Sequence, residues 1–202
     1  MIAIIDYDAG NIKSVEKAVI KLGYDCVITR DKALLESADK LILPGVGSFK
    51  DAMDNLNSYG LTEEIRDLVL SKKKPILGIC LGLQLIFDSS EEGEGVEGLG
   101  LLKGKIVRIP EGDGRKIPHM GWNSLDFPKK SILFNGIDEG SFVYFVHSYY
   151  LQAEDKNIVA ATCEYGAHIE ASVECGNIYA TQFHPEKSST VGMRILKNYL
   201  EA

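Results

Sequence analysis

The sequence is poor in the spacings that hold metals or form redox pairs. It has four cysteines and four histidines in 202 residues. The cysteines at positions 26, 80, 163 and 175 have no C-x-x-C spacing, and no H-x-H or H-x-x-x-H pair occurs. These absences argue against a zinc site or a thioredoxin-type pair and favour reduced thiols. We therefore predict no metal site and no cofactor.

The sequence also lacks an excess of positive charge and a long hydrophobic run. Its formal net charge is −7, whereas a nucleic-acid-binding protein needs a basic face. The longest apolar stretch without a charge, 76–87, is too short to cross a bilayer. Residues 1–6 enter a strand pattern without a preceding basic region, so we expect no signal peptide. With 45% hydrophobic and 25% charged residues, the chain is predicted to form a single cytoplasmic domain over residues 1–202.

The first half of the chain alternates strand and helix patterns. Its short apolar runs are typical of buried parallel strands and lie at residues 2–6, 26–29, 41–43 and 76–79. Asn11 is predicted to cap a helix that ends at Gly23. A later helix carries Leu61, Ile65 and Leu68 on one face. This alternation indicates right-handed β–α–β crossovers.

The second half consists mainly of strand patterns separated by turns. They lie at residues 105–109, 142–146, 158–163, 169–173 and 178–183. A helix with Val191, Ile195 and Tyr199 on one face closes the chain. The predicted fold is α/β: a mostly parallel, doubly wound sheet flanked by helices, with a hairpin-rich antiparallel extension of the same sheet.

One glycine-rich stretch matches a dinucleotide-binding pattern but lacks the structural context that such a site needs. Residues 93–98, Gly-Glu-Gly-Val-Glu-Gly, match the dinucleotide-binding pattern G-x-G-x-x-G. The stretch follows a helix instead of a strand, and Glu92, Glu94 and Glu97 would repel a pyrophosphate. We interpret it as a mobile acidic loop.

The strongest chemical signal is a cysteine between two glycines at a strand-to-helix junction. Residues 78–82, Gly-Ile-Cys-Leu-Gly, join the 75–79 strand to an amphipathic segment at 81–87. Flanking glycines permit the sharp turn that exposes a central nucleophile. A helix N-terminus favours the thiolate, and its amides can stabilise an oxyanion. Cys80 is therefore a candidate nucleophile, and a small buried apolar residue is the alternative interpretation.

A nucleophilic cysteine needs a base, and His184 is the best placed of the histidines. It lies in Phe-His-Pro-Glu at 183–186, where Pro185 favours an extended conformation at the preceding residue. In an extended segment, His184 and Glu186 project to the same side. The carboxylate could then orient the ring, as in a nucleophile–base–acid triad with Cys80. A surface ion pair is the alternative for these two residues alone.

Two further elements are predicted to complete the site. The loop at 44–49, Pro-Gly-Val-Gly-Ser-Phe, follows a parallel strand and so lies at the same sheet edge as Cys80. The amides of Val46 and Gly47 could donate to an oxyanion. Gln84 stands one helical turn after Cys80 and could hydrogen-bond a polar substrate. An ordinary turn and a satisfied core glutamine are the alternatives.

These motifs together resemble the class I, triad-type glutamine amidotransferases. The resemblance rests on GICLGLQ at 78–84, PGVG at 44–47 and HPE at 184–186. Three more stretches narrow it to the family of glutaminase subunits of imidazole glycerol phosphate synthase, and these are DAGN at 8–11, PHMGWN at 118–123 and YFVHSY at 144–149. The motifs occur in the expected order and span essentially the whole chain.

The resemblance implies a glutaminase. Cys80 would attack the side-chain amide of glutamine and form a glutamyl thioester. His184 would protonate the departing ammonia and then activate water, and Glu186 would orient His184. The positions around the glutamine and its oxyanion would be Gly47, Leu81, Gln84, Glu92, Ser148 and Tyr149.

The resemblance also implies a heterodimer partner, the synthase (cyclase) subunit, which is a (β/α)8 barrel. There ammonia would meet a phosphorylated ribulosyl aminoimidazole nucleotide and give imidazole glycerol phosphate for histidine biosynthesis. Asn11, Trp122, Tyr144 and Lys187 would face this subunit, and Trp122 suits an interface anchor. The alternatives are a glutaminase subunit of anthranilate or pyridoxal phosphate synthesis, a cysteine peptidase or acylase of similar fold, and a non-catalytic interaction module.

Overall fold

The structure is a computed structural model that describes residues 1–93, 95–112 and 114–202, so Glu94 of the predicted acidic loop lies outside the described residues. The strands in chain order are β1 (Ile2–Ile5), β2 (Cys26–Thr29), β3 (Lys40–Gly45), β4 (Ile76–Cys80), β5 (Ser89–Ser90), β6 (Gly104–Arg108), β7 (His119–Ser124), β8 (Phe142–His147), β9 (Tyr149–Ala153), β10 (Val159–Glu164), β11 (His168–Cys175) and β12 (Ile178–Thr181). The α-helices are α1 (Ile12–Lys21), α2 (Lys32–Ser37), α3 (Phe49–Ser58), α4 (Leu61–Arg66), α5 (Leu81–Ile86) and α6 (Ser189–Glu201). A π-helical turn at Asp67–Ser71 continues α4, and 3-10 turns lie at Ile132–Phe134, Lys156–Ile158 and Pro185–Lys187.

The central sheet confirms the predicted α/β fold. Its order is β10-β11-β12-β4-β3-β1-β2. The strands from β12 to β2 are parallel, and β10 and β11 add an antiparallel hairpin at one edge. At the carboxyl edge of the sheet, Gly45 at the end of β3 is in register with Cys80 at the end of β4. This register places the predicted loop and the predicted nucleophile side by side.

Part of the predicted antiparallel extension is separate from the central sheet. The strand predicted at 105–109 is β6, which pairs with β5 and β9 in a three-stranded sheet. The strand predicted at 142–146 is β8, which pairs with β7 alone. β8 buries only every second side chain, so it packs as a hairpin with one face on the core instead of joining a sheet covered on both faces.

Helices cover both faces of the central sheet. Alternate residues of the parallel strands point to opposite faces: Ala3 and Leu41 pack with α2 to α5, whereas Ile4 and Ile42 pack with α1 and α6. The predicted face of α4 and its continuation is buried. The predicted amphipathic character of α5 is wrong, because every residue of α5 is buried between the sheet and its neighbours. None of the helices in the described part of the chain combines the length and apolar character needed to span a bilayer.

Candidate active site

Cys80 occupies a strained turn between β4 and α5. Its backbone has φ 55° and ψ −106°, which a non-glycine residue adopts rarely and at a cost of about 1–3 kcal/mol. The flanking glycines are required for space. A Cβ at Gly82 would lie 1.8 Å from the carbonyl oxygen of Leu43, and one at Gly78 would lie 2.7 Å from the carbonyl oxygen of Gly82. The strain of the elbow therefore resides on the cysteine, and the glycines allow the helix to approach the sheet.

The Cys80 thiol is buried between a backbone carbonyl and a side-chain amide. Only 6% of the residue is exposed. Sγ donates to the carbonyl oxygen of Val146 on β8 at 3.8 Å, and Nε2 of the fully buried Gln182 donates to Sγ at 3.8 Å. The sulfur thus has an acceptor for its proton and a donor that would stabilise its negative charge.

His184 and Glu186 form a buried pair beside Cys80. Nδ1 of His184 lies 2.8 Å from Oε1 of Glu186, and each side chain is at most 1% exposed. Burial lowers the pKa of His184, but the Cys80 thiol and the Glu186 carboxylate outweigh burial and raise the pKa to about 9. Among the described residues, no group completes a hydrogen bond of good geometry with Nε2. Nε2 is thus left for the Cys80 thiol, which adjoins the ring, and such catalytic contacts commonly tighten when substrate binds.

The acid reaches the ring by a different route from the one predicted. Glu186 lies in the 3-10 turn Pro185–Lys187, not in extended chain, and the turn brings its carboxylate back to His184. The same Oε1 atom accepts from Nδ2 of Asn11 at 2.8 Å. Asn11 is the N-cap residue of α1, as predicted, but it has φ 67° and its side chain makes no cap hydrogen bond to the helix. Its amide is bound to the acid of the triad instead.

Cys80 opens onto a cavity of about 280 Å³. This cavity gathers all the residues predicted around the glutamine and its oxyanion: Val46, Gly47, Leu81, Gln84, Glu92, Ser148 and Tyr149. Pro118, Val146 and His147 line it as well. A larger groove of about 960 Å³ is lined by residues of β6, β9 and β11 and by none of the triad residues. The residues that line a cavity therefore identify the candidate site better than the volume of the cavity does.

The walls of the cavity are held by its own polar residues. Nε2 of Gln84 donates to the carbonyl oxygen of Tyr149 at 3.1 Å and to Oε1 of Gln182 at 3.2 Å. Oε2 of Glu92 accepts from the backbone N–H of Phe49 at 2.8 Å, where a carboxylate is favoured at the start of α3. Gln84 thus combines the two predicted interpretations, because it is satisfied internally and also lines the cavity.

The predicted oxyanion loop begins later than expected. β3 continues through Pro44 to Gly45, so Val46 and Gly47 are the first residues beyond the strand. Gly47 has φ 104°, a conformation that favours glycine. Both residues lie at the mouth of the cavity next to Cys80.

Sequence reasoning missed Gln182 and the pairing of His119 with His147. Nδ1 of His147 donates to the carbonyl oxygen of Tyr149 at 2.8 Å, so Nε2 of His147 is left to accept from Nδ1 of His119 at 3.0 Å. Burial lowers the pKa of His119 to about 4 and that of His147 to about 3, so both rings are neutral at physiological pH. The only sequence signal for Gln182 was an uncharged amide inside an apolar stretch. No sequence signal indicates that two histidines 28 residues apart are paired.

The residues predicted to face a partner lie close to the triad. Trp122 on β7 is 53% exposed, and its ring meets the Tyr144 ring edge-on at 6.1 Å, in register across the β7–β8 hairpin. Lys187 is exposed beside Glu186, and Asn11 touches Glu186 directly. An exposed aromatic surface thus adjoins the candidate catalytic groups.

Curated relatives resemble this chain over nearly its whole length. The family model described as glutamine amidotransferase class-I matches residues 3–202. The chain is 51% identical over 204 residues to the imidazole glycerol phosphate synthase subunit HisH of Syntrophotalea carbinolica, and the match covers 98% of each chain. It is 53% identical over 204 residues to the protein of the same name from Geobacillus kaustophilus, with 99% of this chain and 96% of the relative covered.

Solved structures agree on the fold. A crystal structure of a glutamine amidotransferase matches with a TM-score of 0.77 at 22% identity, covering 98% of this chain and 97% of that one. The structure of PurLQS from Thermotoga maritima matches with a TM-score of 0.72 at 21% identity, covering 99% and 97%. At these identities the likeness concerns the fold alone. On the family model and the curated relatives, the chain belongs to the class I glutamine amidotransferases and, within them, to the HisH subunits of imidazole glycerol phosphate synthase.

Proposed function

We propose that this chain is the glutaminase of a heterodimeric imidazole glycerol phosphate synthase. It hydrolyses glutamine to glutamate and ammonia and passes the ammonia to a (β/α)8-barrel synthase subunit in histidine biosynthesis. The observation that carries the proposal is a buried Cys80 that lines one small cavity and has the buried His184–Glu186 pair beside it, in a chain about half identical to HisH proteins.

Acylation begins with the sulfur of Cys80. The raised pKa of His184, about 9, keeps a proton on the ring at neutral pH, which favours a thiolate beside it. The sulfur attacks the side-chain carbonyl carbon of glutamine, and the C–N bond then breaks. His184 gives its proton to the leaving nitrogen, so ammonia departs and a glutamyl thioester remains on Cys80.

Deacylation returns the enzyme to its starting state. His184 takes a proton from a water molecule, which attacks the thioester carbon, and the C–S bond breaks to release glutamate. Glu186 keeps Nδ1 of the ring protonated and stabilises the imidazolium in both steps. One glutamine and one water thus become one glutamate and one ammonia.

Backbone amides around the cavity stabilise the negative oxygen of each tetrahedral intermediate. The amides of Val46, Gly47 and Leu81 lie on the two chain segments that meet at the register pair Gly45 and Cys80. Fixed amide dipoles in a site shielded from water are worth several kcal/mol to such a transition state. The remaining cavity residues, Gln84, Glu92, Ser148 and Tyr149, bind the rest of the glutamine.

The need for a partner follows from the chemistry of the product. Ammonia released into neutral water takes up a proton and is no longer a nucleophile. The exposed Trp122 and Met120 (53% and 62% exposed) lie on the hairpin beside the site, and a partner docked there would shield the transfer route. Asn11, Tyr144 and Lys187 belong to the same proposed interface.

The alternatives are less well supported. A peptidase would need a groove open to a polymer, whereas this cavity of about 280 Å³ suits a small molecule. A non-catalytic module would have no use for a buried acid–imidazole–thiol group. The relatives named as HisH favour histidine biosynthesis over anthranilate or pyridoxal phosphate synthesis.

The chain is also proposed to act as one domain in the cytoplasm. Both core clusters draw on the first and second halves of the chain. All four cysteines are free, as is usual in a reducing compartment.

The deciding experiment measures glutamate formation by the chain with and without its barrel partner and the partner's nucleotide substrate. We expect slow hydrolysis by the isolated chain and much faster hydrolysis by the liganded complex. Cys80→Ala should abolish glutamine-dependent synthesis and leave ammonia-dependent synthesis by the complex intact. Cys163→Ala, which alters another buried thiol, on β10, is the matched control and should retain both. Glutamine-dependent synthesis by Cys80→Ala at the wild-type rate would refute the mechanism.

A further inference from the structure

One strand, β8, contacts both the nucleophile and the base segment through its backbone. The carbonyl oxygen of Val146 accepts from the Cys80 thiol at 3.8 Å. Two residues earlier, the carbonyl oxygen of Tyr144 accepts from the backbone N–H of His184 at 3.0 Å. In an antiparallel pair, the N–H and C=O groups of alternate residues point to the same edge. The backbone groups of Tyr144 and Val146 therefore lie on the edge of β8 that is not paired with β7, and this edge faces the triad.

The hydroxyl of Ser188 links the backbone of His184 to β8. Its Oγ donates to the carbonyl oxygen of His184 at 2.6 Å and accepts from the backbone N–H of Tyr144 at 2.9 Å. Ser188 is fully buried. The backbone of His184 is thus bonded to β8 on both sides, through its own N–H and through Ser188. We refer to the bonds of the Ser188 hydroxyl with His184 and Tyr144 as the Ser188 clasp.

An ordinary capping role does not account for this serine. Ser188 stands at the N-cap position of α6, where a serine usually accepts from an amide of the first helical turn. Its side chain makes no such bond. The oxygen accepts from the backbone N–H of Tyr144 instead of from an amide of α6, and the one proton of the hydroxyl goes to the carbonyl of His184.

The other edge of the hairpin leads to the proposed partner surface. β7 pairs with β8 along its whole length, and Trp122 is in register with Tyr144. Pressure on the exposed Trp122 would move β8, and β8 is bonded to both Cys80 and His184. The two attachments differ in strength: the His184 backbone is held to β8 by its own N–H and through Ser188, whereas Cys80 touches β8 only by the 3.8 Å thiol contact. A movement of β8 would therefore shift the imidazole more than the thiol and change the distance between them.

We propose that Ser188 is a positioning residue whose hydroxyl locks the backbone of His184 to β8, so that the placement of the β7–β8 hairpin sets the position of the imidazole relative to the Cys80 thiol. This inference rests on the proposed function. It adds that the activity of the triad depends on a fully buried serine that does not line the cavity.

The test compares Ser188→Ala with Ser172→Ala. Ser172 is equally buried and donates to the carbonyl oxygen of Ala180 at 2.8 Å, on strands away from the hairpin, so it controls for the loss of a buried serine bond. In the complex with the partner and its nucleotide, Ser188→Ala should lower kcat for glutamine at least tenfold with KM within twofold. A misplacement of the base by as little as an ångström can cost about 100-fold. Ser172→Ala should leave both constants within twofold of wild type.

A second measurement reads the position of the base without turnover. Iodoacetamide alkylation of Cys80 in the isolated chain at pH 7, followed by mass spectrometry of the peptide, reports how well the imidazole supports the thiolate. We expect severalfold slower alkylation in Ser188→Ala and an unchanged rate in Ser172→Ala. If Ser188→Ala fails to fold, Ser188→Cys keeps the volume with a weaker donor, and its kcat and KM provide the test.

The outcomes separate this inference from the proposed function. Equal kcat and equal alkylation rates for Ser188→Ala and Ser172→Ala would overturn the Ser188 clasp while leaving the glutaminase in place. A wild-type complex that does not hydrolyse glutamine would overturn the proposed function. In that case the alkylation rates still decide whether Ser188 positions the base.

Discussion

Replacing Glu186 by glutamine would remove the charge from the triad and leave its shape. Glutamine keeps an oxygen that can accept from Nδ1 of His184 and from Asn11, which bond Oε1 of Glu186 at 2.8 Å each. The pKa of His184 lies at about 9 because the Cys80 thiol and the Glu186 carboxylate outweigh burial. The carboxylate should therefore contribute mainly through its charge.

The magnitude follows from that pKa. A rise from 6.5 to about 9 corresponds to roughly 3 kcal/mol in favour of the charged ring. Since burial opposes it, the thiol and the carboxylate together supply more than this. If Glu186 provides about half of this, its loss should lower kcat by roughly one order of magnitude.

The pH dependence gives a second expectation. In the wild type, His184 holds its proton until the pH approaches about 9. Without the carboxylate its pKa falls, so the proton needed by the departing ammonia is lost at lower pH. The alkaline limb of kcat should therefore move to lower pH in Glu186→Gln.

The assay is glutamate release by the liganded complex from pH 6 to 10, with ammonia-dependent synthesis as a check on assembly. Glu164→Gln is the matched control, because Glu164 pairs with His168 on the exposed surface. It should leave kcat and its pH profile unchanged. A Glu186→Gln enzyme with kcat within threefold of wild type and an unmoved alkaline limb would refute the assigned role of the carboxylate.

Three further outcomes are expected. Gly82→Ala should lower the free energy of unfolding by about 3 kcal/mol, because the added Cβ would lie 1.8 Å from the carbonyl oxygen of Leu43. Urea denaturation measures this free energy, and an unchanged value would contradict the close approach of Gly82 to Leu43. Burial lowers the pKa of His119 to about 4, so the stability that its neutral form provides is complete above pH 6.5 and is lost as the pH falls toward 4. His119→Gln should therefore reduce the loss of unfolding free energy between pH 7.5 and 5.5 by roughly 1 kcal/mol relative to wild type, and an equal loss in both would show that the ring titrates normally. Trp122→Ala should weaken binding of the barrel partner at least tenfold in calorimetry, and an unchanged Kd would place the interface elsewhere.

The parallel half of the fold was predictable because its signals are local. Continuous apolar runs and the amphipathic helices between them depend only on residue order, and the observed β1 to β4 follow them closely. The strand at 142–146 was also predicted, but its alternating burial and its pairing with β7 instead of the central sheet depend on what covers its second face. That is decided by packing between distant segments.

The sequence by itself predicted the elbow at Cys80, the nearness of His184 to Glu186 and the loop at Val46, because close glycines and short spacings restrict the backbone directly. It did not predict the 3-10 turn that brings Glu186 to the ring. Only the tertiary structure decided how these groups are held. Gln182 at the sulfur, Asn11 at the acid, and Ser188 between the base and β8 each act on a residue in another element. Their roles come from contacts across the folded chain, and no local pattern of residues specifies where two distant segments meet.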